Sequence, residues 1–252
     1  MSLVNKIKDV IKNQTYNDLY LTNVMLDTVI KTNLISESTT TTTLHSLQPM
    51  SNLIPCKIKV INNDTLTTAI ELNINCILNL GNAYGAGGGA IYGQIAQEED
   101  ICRRTTLLQS LYDYQSDKTV PERYIPKCCV LYTPDVYIIK DKYYNDIDYF
   151  KCNVITASAV RYNTVHNYSS KDEEIMYNTI NCILQTAYIQ KNRSIILGAL
   201  GCGAFKNNPY QCSYLFKKCI NNFNGMFDNI VFAVLSYGNN QNYKIFKSIL
   251  ET

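Results

Sequence analysis

Two short apolar runs, each followed closely by a glycine-rich turn, constrain the fold of this chain more than any other feature. Cys76–Leu80 precedes a turn at residues 85–89, and Ser194–Leu197 precedes a turn at residues 198–205. Runs this short and this apolar are typical of strands that are buried on both faces, as in a parallel sheet. Because ligands of such sheets bind beyond the carboxyl ends of the strands, both turns are candidate binding loops.

Strands and helices are predicted to alternate from residue 56 onward. Residues 56–61 alternate like a strand, and residues 63–65 are suited to cap a helix that runs to about residue 73. Further strands are predicted at residues 128–132, 153–157, 194–197 and 230–235, and further helices at residues 94–114, from a capping box at 170–173, from Pro209 and at 243–250. This alternation predicts an α/β domain with a mainly parallel central sheet.

The N-terminal part has a different pattern. Residues 3–31 carry apolar side chains at helical spacing, and residues 36–44 form a polar, threonine-rich link. We therefore predict a helical extension at residues 1–50 that packs on the main domain, and a catalytic or binding domain at residues 51–252.

Composition argues against several classes of protein. Hydrophobic residues make up 46% and charged residues 17%, as in a folded globular chain. A net charge of +2 argues against nucleic-acid binding through bulk electrostatics, and no apolar stretch is long enough to span a membrane. Ten cysteines lack C-x-x-C spacing and accompany two histidines, so we predict reduced thiols and no metal site. We expect a monomer inside the cell, in the cytoplasm or the nucleus.

Two familiar kinds of site match the glycine turns poorly. Residues 85–90 fit the dinucleotide-binding pattern G-x-G-x-x-A, but the next predicted strand is too distant to supply the acidic residue that this site needs. A P-loop is excluded because no Gly-Lys-Ser/Thr follows the glycines. Cys202, flanked by glycines, suggests a nucleophile that would need His45 or His166 as its base. A small residue in an anion-binding turn is the favoured interpretation of Cys202.

Taken together, the two turns predict one site for a ligand that contains a diphosphate. Glycine turns let backbone N–H groups approach an anion with no Cβ in the way. Asn82 is placed to hydrogen-bond sugar hydroxyls, and Phe205 is placed to pack on a ring. Glu98 and Glu99 would repel a phosphate, so we expect them at the far sugar, one for proton transfer and one for hydroxyl groups. The alternative is an acidic first turn that merely stabilises a helix.

The spacing of these residues resembles a known family. Residues 87–89, seven further residues and Gln97-Glu98-Glu99 are similar to the GGG-x(6–8)-QEE motif of poly(ADP-ribose) glycohydrolases, in the bacterial-type, macrodomain-like branch. Other segments that resemble motifs of that branch are residues 79–82, 100–107, 132–136, 197–207 and 231–234.

The resemblance implies a macrodomain-like three-layer α/β/α fold with a mixed, mainly parallel sheet. It also implies hydrolysis of the ribose–ribose O-glycosidic bonds of poly(ADP-ribose), with release of ADP-ribose and no cofactor. Poly(ADP-ribose) and ADP-ribosylated proteins are then the expected partners, and no sequence-specific contact with nucleic acid is expected. A mono-ADP-ribosyl hydrolase and a non-catalytic ADP-ribose-binding macrodomain remain alternatives.

Residue roles follow from the resemblance by position. Glu99 would be the catalytic acid and base, Glu98 would hold ribose hydroxyls, and Asn82 would position the distal ribose. The remaining substrate-binding residues, most of them wrapped around the diphosphate, would be Gly87, Gly88, Gly89, Gln97, Gly201, Cys202, Gly203, Ala204 and Phe205. Ala86, Ala90 and Leu200 depart from the residues usual in that branch, and none of these departures removes a charged or donor group.

Overall fold

The computed structural model describes residues 33–36, 56–116 and 123–252, which form one sheet with helices on both faces. Its strands are β1 (Asn33–Ser36), β2 (Lys57–Ile61), β3 (Cys76–Leu80), β4 (Cys129–Lys140), β5 (Asp146–Ala157), β6 (Ser194–Leu197) and β7 (Asn229–Ala233). Its α-helices are α1 (Thr65–Leu72), α2 (Gln97–Arg104), α3 (Leu107–Ser116), α4 (Ser170–Ile189), α5 (Pro209–Asn221) and α6 (Asn242–Leu250).

The sheet is mixed and mainly parallel. The seven strands lie in the order β1-β4-β5-β3-β6-β7-β2. Strands β5, β3, β6, β7 and β2 run parallel to one another, and β4 is antiparallel to both of its neighbours. The carboxyl ends of the five parallel strands therefore meet at one edge, and both glycine-rich turns lie there, as predicted.

Two apolar cores separate the layers. Successive side chains of a strand point to opposite faces, so that Ile77 packs in one core and Leu78 in the other. Helices α4, α5 and α6 cover the face of Leu78, while α1, α2 and α3 cover the face of Ile77. The predicted three-layer α/β/α architecture is thus confirmed.

The sheet begins earlier in the chain than predicted. Strand β1 pairs antiparallel with β4, from Asn33 opposite Tyr132 to Ser36 opposite Cys129. No strand was predicted there, and Ser36 was assigned to the polar link. The predicted helices at residues 3–31 and the rest of that link lie outside the described residues, so the division at residue 50 stays a prediction.

Strands β4 and β5 form a longer hairpin than the sequence indicated. Apolar runs predicted strands at residues 128–132 and 153–157, which lie at the two ends of the hairpin that are nearest the core. Each strand in fact has 12 residues. Register shifts between Thr133 and Val136 interrupt the period-2 pattern, which explains why the outer halves were missed.

The prediction of a single helix at residues 94–114 is wrong. Thr105 has an extended backbone and forms an isolated β-bridge with Ile138, which ends α2. The N–H of Thr106 donates to the Tyr137 carbonyl at 3.1 Å, and the Tyr137 N–H donates to Thr106 Oγ1 at 3.1 Å. Pairing with β4 therefore overrides the helical pattern of the sequence at this point.

Helix N-terminal caps follow the sequence closely. The Asp64 carboxylate accepts the Thr67 N–H at the start of α1, within the predicted capping segment. At α4 the capping box is displaced by one residue from the prediction. Ser169, rather than Ser170, is the N-cap, and it accepts the Asp172 N–H. No helix among the described residues is long and apolar enough to cross a membrane.

Arg104 joins the start of α1 to α2. Its side chain is 1% exposed and its guanidinium pairs with Asp64 at 2.9 Å and Asp100 at 2.7 Å. Burial alone would raise the pKa of Asp64, but hydrogen bonds from Thr67 and the charge of Arg104 lower it below its ordinary value. This charge cluster holds the base of α1 against the helix that carries the two glutamates.

Replacement of Arg104 is expected to destabilise the fold. Arg104→Met leaves two largely buried carboxylates without their cation, so the free energy of unfolding should fall by about 3 kcal/mol in urea titrations. Arg193→Met is the control because its pair with Asp228 is 43% and 52% exposed, and we expect a change of no more than about 0.5 kcal/mol. Equal losses in the two variants would contradict this prediction.

Candidate active site

Gln97, the first residue of α2, fixes this helix against β3. Its Nε2 donates to the Leu78 carbonyl at 2.8 Å and to Thr65 Oγ1 at 3.0 Å, while its Oε1 accepts the Leu80 N–H at 2.8 Å. These contacts occupy both amide hydrogens and the amide oxygen. The geometry therefore supports a positioning role for Gln97, whereas its predicted contact with substrate stays a prediction.

The two glutamates that follow are held by backbone groups of the glycine loop. Glu98 Oε2 accepts the Asn82 N–H at 2.8 Å, and Glu99 Oε1 accepts the Gly89 N–H at 2.9 Å. Both residues are buried, at 4% and 5% exposure. A Cβ on Gly88 would collide with Glu99 Oε1 and would lie 3.0 Å from Glu98 Oε2. The glycine is therefore needed for close approach of the two carboxyl groups to the loop.

Each glutamate also has one oxygen that no described residue binds. These atoms, Glu98 Oε1 and Glu99 Oε2, are buried and lack a hydrogen-bond partner among the described residues. Buried carboxyl oxygens in folded proteins almost always have a donor, so a pair of exceptions needs an explanation. A ligand that supplies hydroxyl groups would satisfy both oxygens.

The environment of Glu98 favours its protonated form. Burial, together with the nearby charge of Glu99, raises the pKa of Glu98 to about 8 from an ordinary value of 4.5, against the opposing effect of hydrogen bonds from the Asn82 and Gly87 N–H groups and the Asn79 side chain. At neutral pH Glu98 therefore carries a proton.

Asn79 is a site residue that sequence reasoning missed. It is fully buried in β3, its Nδ2 donates to Thr156 Oγ1 at 3.3 Å, and it lies beside Glu98. Its Oδ1 has no partner among the described residues. The available indication was a single amide in the otherwise apolar run Cys76–Leu80.

The first glycine loop does not present the predicted phosphate cradle. The N–H of Gly88 donates to the Gly85 carbonyl and that of Ala90 to Gly87, both at 3.0 Å. The N–H of Gly89 donates to Glu99, and that of Gly87 acts on Glu98. Because these donors are already used, the loop supports the glutamates. Contact of Gly87–Gly89 with a diphosphate stays a prediction that the hydrogen bonds do not favour.

The second turn, by contrast, has free backbone donors. Among the described residues, no acceptor is bound to the N–H groups of Gly201, Gly203, Ala204 or Phe205. Gly201 has φ +78°, and a Cβ there would lie 2.6 Å from the Cβ of Ala159. Consecutive free N–H groups in such a turn form an anion-binding concavity. The turn therefore has the donors that the predicted diphosphate contact requires.

Asn207 braces the second turn and was also missed. It is fully buried, and its Nδ2 donates to the Val160 carbonyl at 2.7 Å and to the Phe205 carbonyl at 3.1 Å. Its Oδ1 accepts the Tyr168 hydroxyl at 2.9 Å. These three contacts fix the shape of the turn. None of them uses the free N–H groups of Gly201, Gly203, Ala204 or Phe205.

Cys202 and Phe205 lie on the second turn with different surroundings. Hydrogen bonding with Cys212 and burial raise the pKa of the Cys202 thiol well above its ordinary value, so the thiol stays protonated. A nucleophilic role for Cys202 is thereby disfavoured. The Phe205 ring is half-buried, and the Arg161 guanidinium lies 5.6 Å from its centre. Arg161 thus adds a positive charge beside the turn.

The two loops start side by side because β3 and β6 are neighbours in the sheet. A Cβ on Gly198 would lie 3.4 Å from a δ carbon of Leu80. The end of β5 lies against both loops, since the Gly81 N–H donates to the Ala157 carbonyl at 2.8 Å and Gly201 packs against Ala159. The glutamate cluster and the free N–H groups thus flank one edge of the sheet.

A cavity of about 730 Å³ opens beside both loops. Gln97 lines it on the side of the glutamates, Gly203 on the side of the second turn, and Leu235 and Tyr237 beyond β7. Tyr237 is 75% exposed at the rim. The volume suits a ligand of nucleotide size, and an exposed tyrosine ring is suited to stack on a planar group.

Comparison with known proteins shows the family. Residues 5–141, more than half of the chain, match the family model described as microbial-type PARG, catalytic domain. This match includes residues on both sides of the predicted division at residue 50. A search of curated proteins found no match.

Solved structures show the same fold. The poly(ADP-ribose) glycohydrolase of Thermomonospora curvata matches with a TM-score of 0.84 at 21% identity, over 98% of both chains. Its complex with the inhibitor ADP-HPD gives 0.82 at 21% identity, over 98% of this chain and 97% of that one. The Deinococcus radiodurans enzyme in complex with ADP-ribose gives 0.74 at 24% identity, over 90% and 97%. The macrodomain-like fold is thus confirmed.

The raised pKa of Glu98 predicts that stability depends on pH. The folded chain keeps the Glu98 proton up to about pH 8, while the unfolded chain releases it near 4.5. The free energy of unfolding should therefore fall between these values, by an amount on the order of 5 kcal/mol. Glu98→Gln does not titrate, so its unfolding energy in urea should decline less over this range.

Glu174→Gln is the matched control for this measurement. Glu174 is exposed on α4, so this variant should keep the pH dependence of the parental protein. If Glu98→Gln followed the same curve as Glu174→Gln, the raised pKa of Glu98 would be refuted.

Proposed function

The chain belongs to the family of microbial-type poly(ADP-ribose) glycohydrolase catalytic domains, and we propose that it uses Glu99 and Glu98 to cleave the ribose–ribose bonds of poly(ADP-ribose). It is a glycohydrolase of this polymer. The observation that carries the proposed roles is the buried glutamate pair, with one unbound oxygen on each residue, next to a turn with free backbone donors. A site of this kind joins acid–base chemistry to anion binding.

Glu99 is the proposed acid in the first step. Its Oε2 is buried and has no partner among the described residues, so Glu99 is placed to give a proton to the ribose oxygen that leaves. Glu99 Oε1 is held by the Gly89 N–H, which leaves Oε2 to face the scissile bond. Glu98 then accepts ribose hydroxyls through Oε1 while the Asn82 N–H holds its other oxygen.

Bond cleavage leaves an oxocarbenium-like ribose. Two negative groups would stabilise this cation, namely the deprotonated Glu99 and the diphosphate of the substrate. Glu99, now ionised, takes a proton from the water that attacks the ribose, which restores the starting state. In this scheme neither proton transfer involves a group other than Glu99.

The rest of the substrate follows from the positions of the two loops. We place the diphosphate on the free N–H groups of Gly201–Phe205, with Phe205 against the adjoining ribose. The side-chain amide of Asn82 then contacts the distal ribose, and its Oδ1 is held by the Tyr84 N–H at 3.0 Å. The adenosine half occupies the cavity beside Tyr237. All of these residues belong to the proposed catalytic domain at residues 51–252.

Two related activities would use much of the same site. A non-catalytic ADP-ribose reader needs the second turn but has no use for a buried glutamate pair, which argues against it. A mono-ADP-ribosyl hydrolase could use every residue named, so side-by-side assays of polymer and mono-modified proteins for released ADP-ribose distinguish the activities. The partners we propose are poly(ADP-ribose) and ADP-ribosylated proteins. Ten free cysteines favour a reducing compartment, the cytoplasm or the nucleus.

Glu99→Gln is expected to abolish most of the activity and to retain binding. The amide keeps the shape of the carboxyl group but cannot donate the proton, so the rate of ADP-ribose release should fall by about a thousandfold or more. Calorimetry should give an ADP-ribose Kd close to the parental value. Parental rates in Glu99→Gln would exclude Glu99 as the acid, and Glu173→Gln on the exposed face of α4 serves as the control.

Gly201→Ala tests the diphosphate position. The added Cβ would lie 2.6 Å from Ala159 and from the Asn207 side chain, at a backbone φ of +78°. The turn must then deform, and we expect the Kd for ADP-ribose to rise by about tenfold or more. Gly85→Ala is the control, because nothing lies within 4 Å of its added Cβ. An unchanged Kd for ADP-ribose in Gly201→Ala would show that the diphosphate does not bind at this turn.

A further inference from the structure

Tyr84 presents an exposed aromatic ring next to the glutamate cluster. The ring is 60% exposed, and the Arg123 guanidinium lies 5.2 Å from its centre. The Tyr84 N–H donates to Asn82 Oδ1, and the Asn82 N–H donates to Glu98. Two hydrogen bonds therefore connect the backbone of Tyr84, through Asn82, to a carboxyl group of the proposed site.

The position of Tyr84 is fixed by the loops around it. Gln115 Nε2 donates to the Tyr84 carbonyl at 3.3 Å, and Gln115 Oε1 accepts the Ala86 N–H at 3.0 Å. The Tyr124 N–H donates to the Ala83 carbonyl at 2.9 Å, which holds the segment of Arg123 against the same loop. An exposed tyrosine that is anchored in this way loses little further entropy when a ligand stacks on it.

Tyr84 lies outside the cavity assigned to the released ADP-ribose. Neither Tyr84 nor Arg123 is among the described residues that line that cavity. The cavity borders Gln97, at the start of α2. Tyr84 instead lies two residues after Asn82, on the loop whose backbone binds Glu98 Oε2. The ring thus lies near the glutamates but outside the cavity assigned to the adenosine half, which leaves it for the part of the substrate beyond the scissile bond.

The chemistry of the polymer supplies a matching group. In poly(ADP-ribose) the oxygen that leaves is a hydroxyl of the adenosine ribose of the next unit. An adenine is attached to that same ribose, so a purine must lie within one sugar of the catalytic acid. Aromatic side chains bind purines by stacking, and a guanidinium beside the ring attracts the nearby diphosphate.

We propose that Tyr84 and Arg123 form a subsite for the adenosine diphosphate part of the leaving-group unit. This inference rests on the proposed function and deepens it. The guanidinium lies over the ring and 60% of the side chain is exposed, so the ring has exposed surface for the adenine. A subsite of this kind favours polymer over a single ADP-ribose attached to a side chain, because only the polymer places a purine there.

The test is Tyr84→Ala, assayed with poly(ADP-ribose) and with free ADP-ribose. Loss of one stacking contact should raise KM for the polymer by about tenfold, while kcat changes less. Free ADP-ribose lacks the leaving-group unit, so its Kd from calorimetry should stay within about twofold of the parental value. Tyr84→Phe retains an aromatic face and should restore the parental KM.

Tyr214→Ala is the matched control, since Tyr214 is 61% exposed on α5. A thermal unfolding curve for each variant verifies the fold. The subsite is refuted if Tyr84→Ala keeps the parental KM, or if it weakens ADP-ribose as strongly as polymer. A parental protein that binds ADP-ribose but releases none from polymer would instead refute the proposed function, and the subsite with it.

Discussion

Two hydrogen bonds from backbone N–H groups to buried carboxyl groups hold the proposed site together. Asn82 and Gly89 are their donors, and both lie on the loop that follows β3. The first turn of α2 carries the acceptors, Glu98 and Glu99. An N-terminal helical turn favours negative charge, while burial disfavours it. At Glu98 burial prevails and raises the pKa to about 8, so this residue keeps its proton near neutral pH. The hydrogen bonds of the Gln97 amide hold this helix against β3, and the ion pairs of Arg104 hold it against α1.

The two glycine-rich turns have similar sequences but opposite uses of their backbone. In the first, the N–H groups point to protein acceptors and shape the acid–base pair. In the second, buried Asn207 supports the turn from below, and its outer N–H groups stay available for an anion. From the sequence, both turns were expected to wrap the diphosphate, with the glutamates at the far sugar of the same ligand. The hydrogen bonds of the first turn favour a division in which the second turn binds the anion and the first supports the glutamates, and contact of Gly87–Gly89 with the diphosphate stays a prediction.

Elements that are defined by their own burial pattern were predictable from the sequence. Strands β3 and β6 are buried on both faces, so their apolar runs were sufficient, and α5 began at Pro209 as predicted. Elements that depend on a partner were not. The break at Thr105 requires β4, and β1 has only four residues and depends on the same strand. The glutamates could be assigned through the resemblance, whereas the direction of each glycine N–H, and the roles of Asn79 and Asn207, depend on the folded backbone.

The sheet order also determines when the fold can be completed. Edge strand β1 pairs with β4, and edge strand β2 pairs with β7, which lies near the end of the chain. Strand β2 therefore remains without its neighbour among the described strands until residues 229–233 have been synthesised. Loop-closure entropy must be overcome before such distant pairings contribute stability. During translation the apolar side chains of β2 thus stay unprotected by their final partner, and the sheet closes only as a late, long-range event.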